Sequence, residues 1–165
     1  MRIDNKVLAI GFLLMLACSS PAYLPTSNNI GVNEYGSHIK INQKSGERIS
    51  GELIAINENE IIVLTGSVER VCKQLDVSSV DRFKILYARP KNYGWTIPLF
   101  TIFTITHGWF LALTAPVNLI ATSTVTTSGQ NAFTYNHKNM TLDKVRMFAR
   151  FPQGLPEGVD MASIR

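Results

Sequence analysis

The sequence predicts an α+β chain: a small five-stranded β-barrel, then a hydrophobic helical hairpin or span, then a short C-terminal helix. Three observations lead there. Residues 37–88 alternate apolar and polar positions with period two, the 46 residues between Lys91 and Lys138 hold no Asp, Glu, Lys or Arg, and an early apolar run ends on Cys18. A chain of 165 residues has room for one domain, or one small domain with a membrane-associated piece.

The start of the chain has the pattern of an export leader. Arg2 and Lys6 make a short positive stretch before a run of 11 residues, 7–17, that is apolar apart from Gly11. That run suits a signal-peptide core and falls short of the roughly 20 residues that span a bilayer. Met15-Leu16-Ala17-Cys18 resembles the lipobox of bacterial lipoproteins, which carries a small residue just before the cysteine and usually Leu three places before it. Met15 stands at that Leu position, and Leu16 is bulkier than the pattern favours. The resemblance implies removal of residues 1–17 and acylation of Cys18, with palmitate-type chains holding the protein in a cell envelope, at an outer membrane facing the periplasm. Membrane lipid is then a partner by construction.

The loss of Arg2, Lys6 and Asp4 lowers the net charge from +4 to +3, an excess too small and scattered to indicate nucleic acid. With Cys18 acylated, Cys72 has no second cysteine in the chain, so no intramolecular disulfide is expected. Residues 19–33, SSPAYLPTSNNIGVN, have no hydrophobic period and are expected to form a flexible tether within a lipidated segment 18–36.

Residues 37–88 follow as the β module. Ile39 and Ile41 alternate with polar neighbours, 43–46 turns the chain, and 48–57 resumes as a strand with Gly51 at its centre, where a bulge is expected. Strands at 61–64, 68–75 and 82–88 follow, with a 3₁₀ turn at 76–80 and with Phe83, Ile85 and Tyr87 on one face. Ile41, Leu53, Ile62 and Phe83 are the predicted core. The stretch from Ile39-Lys40-Ile41 through Gly46-Glu47-Arg48-Ile49-Ser50-Gly51-Glu52-Leu53 resembles the opening strands of SH3-like and Sm-like small barrels. That resemblance implies a fold of about 50 residues and no RNA role, since no aromatic stacking platform accompanies it.

Residues 93–122 form a hydrophobic segment predicted to be membrane-associated. Of the 25 residues 97–121, 16 are apolar, with Pro98, Gly108, Pro116 and Asn118 interrupting. At helical spacing Thr101, Thr104, Gly108, Ala112 and Ala115 make a stripe of small residues of the kind that lets helices approach in lipid. A single span, a hairpin broken near His107-Gly108 that enters partway, and a hairpin buried against the β module are the three readings. Trp95 and Trp109 favour the partial hairpin, as interface residues.

Residues 123–165 are expected to hold an extended segment, continuing Thr122–Ser128 as strand or loop, then a helix over 142–150 capped by Thr141. A Pro/Gly-rich tail follows, with 152–158 capping the barrel.

No catalytic constellation emerges. His38, His107 and His137 lack any metal-ligand spacing, so neither a metal nor a cofactor is expected. Glu47, Glu52, Glu58 and Glu60 are placed on turns and exposed strand faces, and Cys72 is taken as a small buried hydrophobe. The expected function is a non-enzymatic envelope lipoprotein that binds an envelope protein partner or self-associates. An oligomeric membrane element built from residues 95–121, or an envelope hydrolase using His38, Asp81 and Ser78 or Ser79, are the alternatives.

Overall fold

The structure, a computed structural model, describes residues 20–31, 33–66, 69–91 and 93–165, with the backbone alone at 101, 104–107, 111 and 130. The leader and Cys18 lie outside the described residues. The chain divides into a β unit, Pro21–Arg89 with Phe133–Arg165, and a helical unit containing Pro90–Ala132.

Six antiparallel strands build the β unit: β1 His38–Gln43, β2 Arg48–Ile56, β3 Glu60–Thr65, β4 Val71–Asp76, β5 Val80–Leu86 and β6 Thr134–Asn136. They form one open sheet in the order β4-β3-β2-β1-β5-β6. The expected five-stranded barrel is therefore not what forms. Closing it would take a ladder from β4 to β5, and the second edge of β5 is occupied by β6, through Lys84↔Asn136, Ile85↔Tyr135 and Leu86↔Thr134.

The sheet buries apolar residues on both faces, and a bulge divides them. Ile39, Ile41, Ile49, Leu53, Ile61, Val63, Phe83 and Ile85 form one core with Val145 and Ala149. The register between β2 and β3 slips between Leu53 and Ala55, which turns Ile54 and Ala55 to the other face. There they join Ile62, Leu64 and Ile164, covered by Phe151, Leu155, Val159 and Met161 of the tail. Two-sided burial explains the unbroken apolar runs at 53–56 and 61–64. The four predicted core residues are all buried, with Ile62 in this second core.

The bulge lies two residues past Gly51. Gly51 instead marks a close backbone approach, since a Cβ there would stand 2.1 Å from the Leu64 carbonyl oxygen. Backbone groups freed at the bulge are taken up by other segments: Leu53 N–H donates to Ser37 O (2.8 Å), Arg150 N–H to Leu53 O (3.0 Å) and Phe151 N–H to Ile54 O (2.8 Å).

That pairing also shortens the C-terminal helix. The α-helical part is only Leu142–Val145, followed by a 3₁₀ turn Arg146–Phe148, and Ala149 is extended. Phe148 O accepts Ser37 N–H at 2.9 Å, so residues 148–151 run beside the sheet where the sequence favours more helix. Thr141 sits at the N-cap without a side-chain cap bond.

The helical unit holds α1 (Thr96–Thr104), a 3₁₀ stretch Ile105–Phe110, and α2 (Leu111–Asn131). Residues 122–128 are thus helical rather than extended. Their hydroxyls bond back to carbonyls one turn earlier: Thr124 to Ile120 (2.8 Å), Thr127 to Ser123 (2.8 Å), and Thr122 to Asn118. Such back-bonding lets Ser and Thr sit inside a helix despite their weak propensity.

Candidate functional site

Three chain segments meet where β5 ends. After Leu86 the chain runs on to Arg89, the last residue before the helical unit, and Tyr87 N–H donates to the oxygen of Phe133, the first residue after it (3.1 Å). Arg89 N–H donates to Pro25 O (2.8 Å), and Thr26 bridges Arg89 in parallel. Arg89 and Phe133, which flank the helical unit in sequence, and the Pro25–Thr26 segment therefore lie together in the β unit.

That N-terminal segment is docked, not free as a tether would be. Leu24 is 1% exposed. The Tyr23 hydroxyl lies 3.1 Å from His38 Nδ1, and its ring packs near Tyr35, with centroids 6.1 Å apart. Arg70 sits over the Tyr23 ring at 6.0 Å and Arg150 over the Tyr35 ring at 5.3 Å.

Both guanidinium groups converge on Glu52, whose side chain is fully buried. Arg150 Nε donates to Oε1 at 2.7 Å and its terminal nitrogen to Oε2 at 2.8 Å, a two-pronged contact. Arg70 adds 2.9 Å to Oε2, and the Gly36 N–H gives 2.9 Å to Oε1. Each carboxylate oxygen therefore accepts two hydrogen bonds, which satisfies the group despite its burial. Placing Glu52 on a solvated face fails because alternation along β2 assumes that one face is wet. Here the N-terminal segment covers one side of the residue and the tail, through Arg150, the other. The one signal in sequence is the apolar run beside it at 53–56; Tyr23, Arg70 and Arg150 lie 29, 18 and 98 residues away in the chain and give none.

His38 holds this arrangement at its edge. Its Nε2 faces Ser50 Oγ at 3.3 Å while Nδ1 faces Tyr23. Burial, and then the neighbouring Lys40, lower its pKa to about 4. Burial likewise raises the Tyr23 hydroxyl pKa above its usual value. An imidazole so weakly basic is a poor general base at neutral pH; its two ring nitrogens instead face Tyr23 of the docked segment and Ser50 of the sheet. The suspected hydrolytic residues do not converge. Ser79 O receives Lys44 N–H beyond the far end of β1 from His38, Ser79 Oγ donates to Asp76 O at 2.6 Å, and Asp81 pairs with Arg82 at 3.3 Å.

The hairpin itself turns at Gly108, where φ 57° and ψ −127° break the helix. Its large side chains face outward: Phe100, Ile102, Phe103, Phe110, Leu113, Val117 and Ile120 are exposed, and Trp109 is 99% exposed. No helix among the described residues is long and apolar enough to cross a membrane, which removes the single span. The 9 residues of α1 reach about 14 Å. The 21-residue α2 has length enough, but Pro116, Asn118 and the Thr/Ser run dilute it.

Of the predicted stripe, Gly108, Ala112 and Ala115 line one open groove of about 660 Å³ with Trp109 and Pro116. Thr101 and Thr104 are in α1, their side chains outside the description. Trp95 stands at the base of α1, whereas Trp109 is at the bend, so only the former occupies an interface position on a hairpin that enters tip first. Cys18, the predicted lipidation residue, lies outside the described residues. No family model matches the chain, and no curated protein or solved structure matches it.

Proposed function

We propose that the protein is a non-enzymatic cell-envelope lipoprotein. Acylated Cys18 and an apolar hairpin that enters one leaflet hold its β domain at a bacterial membrane, where the sheet binds an envelope partner. The observation that carries this reading is the meeting of the docked N-terminal segment with both hairpin roots at Arg89 and Phe133. A lipid on Cys18 and the hairpin then address the same surface.

Chain length supports it. Tyr23 is five positions after Cys18, a reach of at most about 17 Å, so the domain rides close to the headgroups. The apolar arms, α1 and residues 111–120 of α2, each rise about 14–15 Å, near half of a hydrocarbon core of about 30 Å. The charge-free stretch ends in basic residues, Arg89 and Lys91 before it and Lys138 after it, where headgroups would lie.

Flotation of the chain with neutral phospholipid vesicles tests both anchors. Cys18→Ser should abolish lipid labelling and leave a longer, unprocessed precursor. In the acylated protein, Trp109→Glu with Phe110→Glu should expose the bend to protease while the single lipid anchor persists. Unchanged labelling of the Cys18→Ser chain, or a bend equally digested in wild type, defeats the corresponding half of the reading.

A second reading, self-association through the groove lined by Gly108, Ala112 and Ala115, is separated by mass in detergent. Ala112→Leu should reduce the oligomer to a monomer if the groove joins two copies. Gly108 is the poorer probe, because its positive φ strains any other residue.

A further inference from the structure

The face of the sheet that carries Glu52 is bare and basic beyond it. From His38 the register runs outward through Lys40, paired with Ser50 on one side and Lys84 on the other, to Asn42, paired with Arg48 and Arg82. Lys40, Arg48, Arg82 and Lys84 are all exposed. The one carboxylate among the β1, β2, β5 and β6 residues on this face is Glu52, already held by two guanidinium groups. Among the described residues, Lys40, Arg48 and Lys84 form no ion pair, and Arg82 has only its exposed neighbour Asp81 at 3.3 Å.

Two lysines directly opposite each other in an antiparallel ladder repel, which costs folding stability. Among the described residues no carboxylate pairs with either lysine. The positive field is felt inside the fold as well, since Lys40 contributes to the lowering of the His38 pKa.

We infer that this strip, Lys40, Lys84, Arg48 and Arg82, docks on anionic lipid headgroups and so orients the β domain on the membrane. The inference rests on the membrane-anchored reading above and adds the lipid class and the face that meets it. Continuity supports the choice of lipid over a protein partner: Lys84 is five residues before Arg89 on the strand that leads to the hairpin root, and Lys40 is two from the histidine that holds Tyr23 of the anchored segment. Each cation near an anionic surface strengthens binding about 5-fold, and the attraction fades within a Debye length as salt rises.

The test uses the acylated full chain in vesicles of neutral phosphatidylcholine, with or without phosphatidylglycerol at 30 mol%. Amine labelling of Lys40 and Lys84, read by mass spectrometry, should be about 5-fold slower on the anionic vesicles and should recover in 0.5 M NaCl. Lys73, at the opposite edge of the sheet and paired with Glu47, should label equally on both. Lys84→Glu replaces the like-charged pair by an opposite one; it should fold at least as stably and lose the dependence of Lys40 labelling on lipid charge. Equal labelling on both vesicles, with the protein floating on each, overturns the inference and leaves the anchor intact. Failure to float on either overturns the anchor itself, and this inference with it. Protection on neutral vesicles by polyglutamate or by inorganic phosphate alone overturns the choice of headgroups, in favour of an acidic protein or a soluble anion.

Discussion

In the β unit Ile39, Ile41, Leu53 and Ile85 have no accessible surface, whereas in the hairpin Ile102 is 62% exposed and Trp109, Phe110 and Leu113 more so. The residue types are alike, but the β unit has layers to put over its strands and the hairpin has only two arms. A sheet face covered by Leu142, Val145, Phe148 and Ala149 gives these side chains apolar neighbours above the strands, and burial at about 25 cal/mol per Å² then stabilises the fold. A pair of helices leaves half of each surface outward, so its apolar residues need a medium outside the chain. Polar groups divide the same way: Glu52 is buried and fully bonded, while the hydroxyls of α2 bond their own helix backbone.

The same substitution in the two regions gives the sharpest contrast. Leu53→Asp places an unpaired charge in the core, a cost of several kcal/mol against a total of about 5–15, and the cooperative urea transition should vanish. Ile102→Asp should leave that transition within about 0.5 kcal/mol of wild type. A comparable loss from Ile102→Asp would mean that the hairpin is part of the folding core, and the contrast would collapse.

A smaller loss is expected where the β unit buries charge. Glu52→Ala removes the acceptor shared by Arg70 and Arg150 and should cost about 3 kcal/mol; Glu52→Gln, which keeps one acceptor, should cost less. Equal stability of all three proteins would show the cluster to be dispensable.

Smaller again is the pH response. His38 titrates near 4 in the fold and about 6.5 when unfolded, so the unfolded chain binds the proton first. The contribution is complete above about pH 6.5 and is lost as pH falls toward 4. The urea midpoint should fall between pH 7 and 4.5, and His38→Gln should flatten part of that slope; an identical slope would remove His38 as the cause.

The smallest effect belongs to Thr141→Ala. A bonded Thr cap contributes about 1 kcal/mol, but this hydroxyl makes no cap bond. The change should stay within about 0.5 kcal/mol, and a full unit lost would require a cap bond that forms in solution.

Strands β1 to β5, the buried positions Ile41, Leu53, Ile62 and Phe83, the 3₁₀ turn at Val77–Ser79 and the break at Gly108 are legible in the chain, because period two, polar turns and a glycine between apolar helices are local signals. The short strand β6 and the helical state of 122–128 left no such signal, since three residues are too few for a period and β-branched polar residues favour extension until their hydroxyls find the helix carbonyls. The open sheet, the two cores and the docking of the N-terminal segment follow from tertiary packing instead. Each depends on which distant segment covers a face: β6 takes the edge that would close a barrel, the tail covers Ile54 and Ile62, and Arg70 and Arg150 come to Glu52 from remote parts of the chain. Alternation along a strand shows that its faces differ; it does not show which face will be covered.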